Sequence, residues 1–281
     1  VEWISMTGNT AMDASVPDAD RKIPFLDLRT EIEGPATFYL RVEGSDGIIV
    51  PLTIFSREAY IDNSLKIKLW QGINHGVVLA MAVFNLFLFL TLRDRSYLWY
   101  VVYLISLGFY IYGYHDTSLF GWLDSQEIVF HSRIVIVLMS LAMVFLALFS
   151  RSFLGTRERF PLGDKALLLY VALSLPPIVG VVFSHPRIWN EYASIMLLLS
   201  SFVAIWVGLV CWRRGFKPAR FFLLAMAISS AGAIWYALVF DGVLPYFDWA
   251  LRMTETSLSL EAVLFSLALG DRIRTFRQEK E

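Results

Sequence analysis

Two patterns of apolar and polar positions divide the chain near residue 67. Beyond it, long apolar stretches alternate with short polar connections, and seven such stretches can be counted, at 72–92, 97–113, 132–150, 166–183, 192–212, 221–240 and 251–270. Each is close to the roughly 17–25 residues that a helix needs to cross about 30 Å of hydrocarbon. The pattern predicts a mainly α, polytopic membrane protein with a seven-helix transmembrane bundle over residues 67–271, in which the seventh helix, containing "TETSLSLE", is the most polar.

Residues 1–66 alternate with a period of two instead. In "TFYLRVEGSDGIIVPLTIF", at 37–55, two alternating runs flank a Gly-Ser-Asp-Gly turn, which predicts a β-hairpin. Pro51 places the second strand at a sheet edge or a bulge. Because this segment is too short to bury a good core, we expect it to be the C-terminal part of a larger β-sandwich.

Composition and charge support the membrane interpretation and orient the chain. Hydrophobic residues make up 57% of the 281 residues and charged residues 17%, and mean hydropathy is +0.57. Lys and Arg number two after the first stretch and four each after the third, fifth and seventh, fourteen in all, whereas the alternate connections carry three. Cytoplasmic loops are enriched in these residues, so residues 1–66 should be periplasmic and the C-terminus cytoplasmic.

Polar residues inside the stretches are the candidate functional groups. Glu261 lies near the middle of the seventh stretch, where an ionisable side chain should face protein or water. At 100° per residue, two polar stripes are predicted there, which implies two helical neighbours; they consist of Thr254, Ser257 and Glu261, and of Glu255, Ser259 and Ser266. Asn85 and the small-residue run at 227–233 are candidate partners. Glu261, with Glu255 and Asn85, could fix packing, form an intramembrane switch or contact a ligand.

The histidines form a second candidate group. His75, His115, His131 and His185 all map to the outer side, where an acid-sensing or cation-binding cluster could form. No pair has the i, i+4 spacing of a helical metal site, and the single cysteine, Cys211, excludes an intramolecular disulfide and a cysteine-rich zinc site. Neither a metal nor a cofactor is expected.

Three segments together carry a family resemblance: the outer β segment, "GINHGVVLAMAVFNLFLFLTLRDRSYLWY" at 72–100, and "EAVLFSLALGDRIR" at 261–274. Their order resembles the bacterial seven-transmembrane receptors with diverse intracellular signalling modules. The resemblance implies that the β-sandwich is a periplasmic, jelly-roll-like domain that binds carbohydrate-like ligands. It also implies an output domain in cis, commonly a histidine kinase or diguanylate cyclase, which is expected to be missing from this chain. Its expected partners are therefore the lipid bilayer, that ligand and that effector, with a second copy of the chain as a further candidate and no nucleic acid.

The C-terminal residues 272–281 are interpreted as the start of a signalling stalk. Leu269, Ile273 and Phe276 follow spacings of four and three, as in a heptad seam, and Arg272 and Arg274 lie off that seam, where they can face headgroups or solvent. The sequence therefore predicts a sensory receptor fragment of the bacterial inner membrane. No catalytic motif occurs, so no enzymatic activity is expected within it. A membrane transporter is the alternative.

Overall fold

The computed structural model describes residues 56–115, 128–240, 242–244 and 248–278, which are mainly α-helical. The helices are α1 (Arg57–Leu92), α2 (Arg95–His115), α3 (Ile128–Leu154), α4 (Thr156–Arg159), α5 (Pro161–Ser174), α6 (Pro176–Phe183), α7 (Pro186–Arg213), α8 (Ala219–Phe240) and α9 (Asp248–Gln278). α5 and α6 together form one span, which is interrupted where Pro176 cannot donate a backbone hydrogen bond.

Six helical segments of the described chain are long and apolar enough to cross a membrane, rather than the seven expected. They correspond to α1, α2, α3, α5 with α6, α7 and α8. The difference is α9, whose 31 residues are sufficient in length but too polar in composition. Length and apolarity alone therefore do not identify α9 as a membrane span. The residues that contact α9 are the remaining evidence.

The helices pack in a ring that α9 closes. Neighbours in sequence are neighbours in space from α1 to α3, and α3 also contacts α5, α6 and α7. α7 then packs on α8, α8 on α9, and α9 on α1. α9 is parallel to α1, because Asn74 and Asn85 of α1 bond Ser259 and Ser266 in the same order. The ring therefore closes with two parallel helices, α1 and α9, side by side.

α1 begins earlier than the sequence pattern predicted. Ser56 caps it by accepting a hydrogen bond from the Ala59 amide at 3.2 Å, and the helix continues without a break to Leu92. Residues 57–66, which were assigned to the β segment, are therefore helical and continuous with α1. The predicted hairpin at 37–55 and the β-sandwich lie outside the described residues.

Aromatic side chains fill the half of the bundle that contains the C-terminal part of α9. Phe149 on α3 packs against Tyr100, Phe222 and Phe265, with ring centroids 5.0, 6.3 and 5.0 Å away, respectively. These four residues come from α2, α3, α8 and α9, and all are fully buried. Large rings in contact contribute both area and ring–ring attraction, so this cluster fixes α9 between α2 and α8.

Candidate functional site

The polar side chains of α9 point into the bundle. Met253, Leu260 and Leu267 are 46%, 48% and 54% exposed, whereas Glu255, Ser257, Ser259, Glu261 and Ser266 are all buried. A helix that hides its polar groups and exposes its apolar ones has the reverse of a soluble amphipathic pattern. This arrangement is the one expected where the surrounding medium is lipid and the interior supplies hydrogen-bond partners.

One polar stripe of α9 faces α8. The Thr254 hydroxyl donates to the Gly232 carbonyl at 3.3 Å, and Ser257 packs so closely that a Cβ added to Gly232 would lie 2.0 Å from its Oγ. One helical turn further along, the Ser229 hydroxyl is within hydrogen-bonding reach of Glu261. The small-residue run at 227–233 thus provides the close approach of α8 that the sequence suggested.

The second polar stripe faces α1. Asn85, which is fully buried, donates through Nδ2 to Ser266 Oγ at 2.8 Å and to the Met81 carbonyl at 2.8 Å. Ser259 donates to the Asn74 carbonyl at 3.4 Å. Asn85 Oδ1 has no hydrogen-bond partner among the described atoms. Two stripes facing two helices agree with the packing predicted from the sequence.

Three tyrosines of α2 form a ladder along α9 that was not predicted. Tyr97 donates to the Leu269 carbonyl at 3.3 Å and Tyr100 to the Ala262 carbonyl at 2.5 Å. Tyr103 donates to Glu261 Oε1 at 3.0 Å. They are spaced three residues apart and so lie on one helix face. This spacing is the only feature of the sequence that could have indicated their shared role.

Glu261 is the centre of this network. Its side chain is 2% exposed, lies beside Tyr103 and Ser229 from two different helices, and makes no ion pair with any residue in the described part of the chain. A carboxyl group buried without a cation is accommodated by hydrogen bonds and by protonation. Glu261 therefore connects α2, α8 and α9 at one level of the bundle.

The other two candidates for the switch lie at different levels. Glu255 is buried at 4% exposure and precedes Glu261 by six residues, about 9 Å along the helix axis. Asn85 bonds Ser266, five residues beyond Glu261. The three residues therefore all face the bundle interior but do not form one cluster.

The four histidines are partly described. His75 contacts the Gln71 carbonyl at 2.7 Å through Nδ1 and packs edge-on against Tyr112, with ring centroids 5.6 Å apart. His185 caps α7 by accepting from the Arg187 amide, and His131 is half-buried on α3. The His115 side chain lies outside the described residues. No group of three potential metal-ligating side chains was found in the described ranges.

The inner end of α9 contacts the junction between α1 and α2. Arg272 donates through Nη1 to Ser96 Oγ at 2.5 Å and lies 3.5 Å from Asp94 Oδ2. Its side chain is only 15% exposed. The expectation that Arg272 faces headgroups or solvent is therefore wrong, because a buried polar junction of the same chain supplies its partners. Arg274 is exposed, as expected.

The predicted stalk seam starts inside the bundle. Leu269 is fully buried in the core, and Ile273 packs against the same core while half-buried. The Phe276 side chain lies outside the described residues, although the helix backbone continues to Gln278. The first two seam positions thus face the bundle's own helices, and any contact with a partner helix would begin beyond them.

The geometry defines a polytopic helical membrane domain whose last helix is tied to three others by buried polar contacts. A family model described as "7TM diverse intracellular signalling" matches residues 67–272. The match covers most of the chain, so this protein belongs to that family, and the resemblance noted in the sequence is confirmed. No curated protein and no solved structure matches the chain.

Proposed function

We propose that this chain is the transmembrane part of a sensory receptor that relays a periplasmic or membrane signal to a cytoplasmic output domain. Membership of the family supports a signalling role. The observation that carries the relay is α9: its buried polar groups contact α1, α2 and α8, and the same helix continues past the bundle toward the C-terminus. A change of packing among these helices would therefore be transmitted along one continuous helix.

α9 is proposed to be the seventh span. Thr254 lies level with Gly232 of α8 and Arg272 lies level with Ser96 at the start of α2. Eighteen residue-to-residue steps separate Thr254 from Arg272 and correspond to about 27 Å of helix, close to the roughly 30 Å of a bilayer core. Its polar side chains are tolerated there because they face protein, and its lipid-facing side chains include Met253 and Leu260.

The proposed orientation has residues 1–66 in the periplasm and the C-terminus in the cytoplasm of the bacterial inner membrane. The uneven distribution of Lys and Arg supports it. Alkaline phosphatase, which is active only in the periplasm, should be active when fused near Asp46 and inactive when fused after Glu281. Activity at both positions, or at neither, would remove the model of an odd number of spans.

The mechanism would be an equilibrium between two arrangements of α9 relative to its neighbours. A ligand can shift such an equilibrium only through its different affinity for the two states, and typical coupling free energies are about 1–3 kcal/mol. Polar contacts inside a membrane average about 0.6 kcal/mol each. Exchanging a few of them between Glu261, Ser266 and their partners would supply coupling of this size.

Insertions beyond the bundle test the relay in the intact receptor. Each residue inserted after Arg277 rotates the following helix by about 100° and advances it by about 1.5 Å. Insertions of one or two residues should therefore lock or abolish output, and an insertion of seven should largely restore it by preserving the heptad phase.

The measured quantity is the activity of the output domain, normalised to the amount of receptor in the membrane. The four-residue insertion provides a control, because it lengthens the helix more than the one- and two-residue insertions but nearly restores the phase. Output that falls smoothly with insert length, without periodicity, would contradict the relay and indicate that the bundle only tethers its effector.

A further inference from the structure

The carboxylate of Asp94 connects two helices that are far apart in the sequence. Its Oδ1 accepts the Ser96 amide at 2.8 Å, which caps the first turn of α2, and its Oδ2 lies 3.5 Å from Arg272 Nη1. α1 ends immediately before this junction, where Arg93 adopts a left-handed backbone conformation with φ of 55°. The Asp94 carboxylate thus links the C-terminal end of α9 to the turn between α1 and α2.

Arg272 is also held by α3. Its guanidinium carbon lies 5.8 Å from the Phe153 ring centre, and Ser96 Oγ, which accepts from Arg272, lies 2.8 Å from Ser152 Oγ. An arginine side chain stays charged, so without Asp94 the Arg272 guanidinium would favour headgroups or water.

The adjacent residue makes a pair of a different kind. Asp271 lies 3.4 Å from Arg220 of α8, but the Arg220 side chain is 56% exposed. Exposed pairs contribute little because water competes for both charges. The two ion pairs connect consecutive residues of α9 to different neighbours, and each has one more exposed member, Asp94 at 38% and Arg220 at 56%. Arg272 is itself only 15% exposed and also donates to Ser96 Oγ at 2.5 Å, so its pair is the one expected to hold the helix.

We propose that Arg272 is a latch, which holds the inner end of α9 against the α1–α2 junction and α3 in one signalling state and releases it in the other. Arg272 lies three residues after the buried Leu269 and two residues before the exposed Arg274, so its release would free the part of α9 that leaves the bundle. The latch determines the position of the α9 end, and only the effect of that position on output rests on the proposed function.

Distance measurements between spin labels test the latch. Labels at the exposed positions Glu158 on α4 and Arg274 on α9, in a Cys211→Ala background, report the position of the α9 end in the intact receptor in bilayers. Asp94→Asn removes the charge but keeps an effective helix cap, and Arg272→Gln removes the cation. Each should raise the population of a second, displaced distance by about tenfold or more, as expected for loss of a charged hydrogen bond. Arg220→Gln is the matched control and should leave the distances unchanged.

The outcomes separate the latch from the proposed function. Displaced distances in Asp94→Asn and Arg272→Gln, with output shifted in the same direction in both, support the latch and the relay. Displaced distances with unchanged output support the latch and contradict the relay. Wild-type distances in both variants overturn the latch, whatever the output does, and so does an equal displacement in Arg220→Gln.

Discussion

α1 and α9 lie side by side and run in the same direction, but they differ in polarity and in how they are packed in the bundle. The most apolar part of α1 has a mean hydropathy of 2.1 and only 17% of it is buried in the bundle, whereas α9 is too polar to qualify as a span by composition. α9 nevertheless has neighbours on three sides, α1, α2 and α8. The more apolar helix therefore exposes more of its surface, and the more polar helix buries its polar side chains against its neighbours while Met253, Leu260 and Leu267 remain exposed.

This difference separates two sources of stability. Lipid contact makes few geometric demands, so most side chains on the outer face of α1 can be exchanged for others of similar polarity. Hydrogen bonds and close packing along α9 depend on position and partner, so a change there alters which arrangement of the helices is favoured. Substitutions of matched chemistry in the two helices should consequently have unequal effects.

The largest effect is expected at Glu261. Glu261→Lys would place a cation at mid-span without an acidic partner, which costs about 2.5–3.5 kcal/mol on insertion scales, and would leave Tyr103 without its acceptor. Glu261→Gln keeps an acceptor for the Tyr103 hydroxyl and carries no charge, so it should lose less than about 1 kcal/mol. The free energy of unfolding, measured by titration with SDS in mixed micelles, distinguishes the two.

An uncharged Glu261 and a glutamine at the same position should respond alike to pH. The free energies of unfolding of the wild type and of Glu261→Gln should therefore differ by a constant amount through the neutral range. Equal stability of Glu261→Lys and Glu261→Gln would instead show that the site is hydrated, and the description of Glu261 as the centre of an enclosed network would be wrong.

The sequence predicted the parts of this comparison that depend on periodicity. The spacing of Ser257 and Glu261, and that of Ser259 and Ser266, was sufficient to place two polar stripes on α9 and to assign them two neighbours. Composition also indicated that the seventh stretch, now α9, is the most polar of them. These features follow from helix geometry and hydropathy, which are local properties of the chain.

The partners across the helices could not be predicted in the same way. Tyr100 and Tyr103 look like ordinary aromatic residues of a membrane helix until α2 is placed beside α9. Arg272 counts only as one more positive charge until Asp94, 178 positions earlier, is found next to it. Such contacts depend on the rotation and depth of whole helices, which a single sequence does not encode in any local pattern.

A smaller effect is expected when one methyl group is added by a glycine-to-alanine substitution, either on α1 or at the contact between α8 and α9. Gly76 on α1 is exposed and has nothing within 4 Å of an added Cβ, whereas a Cβ on Gly232 would lie 2.0 Å from Ser257 Oγ and 2.7 Å from its Cβ. Gly76→Ala should therefore stabilise the protein by up to about 1 kcal/mol through helix propensity. Gly232→Ala should destabilise it by about 1–3 kcal/mol through overpacking.

Removing the Ser257 side chain tests why the two substitutions differ in their effect on stability. Once Ser257 is replaced by glycine, the next atom near the added Cβ is the Thr254 Cα at 3.6 Å, an ordinary contact. In the Ser257→Gly background, Gly232→Ala should then behave like Gly76→Ala, and the double-mutant cycle should show a coupling of the same size as the original loss. If the loss persists in that background, the sensitivity of the α8–α9 contact arises from something other than the approach of Ser257, and the enclosed position of α9 would not explain the difference between the two helices.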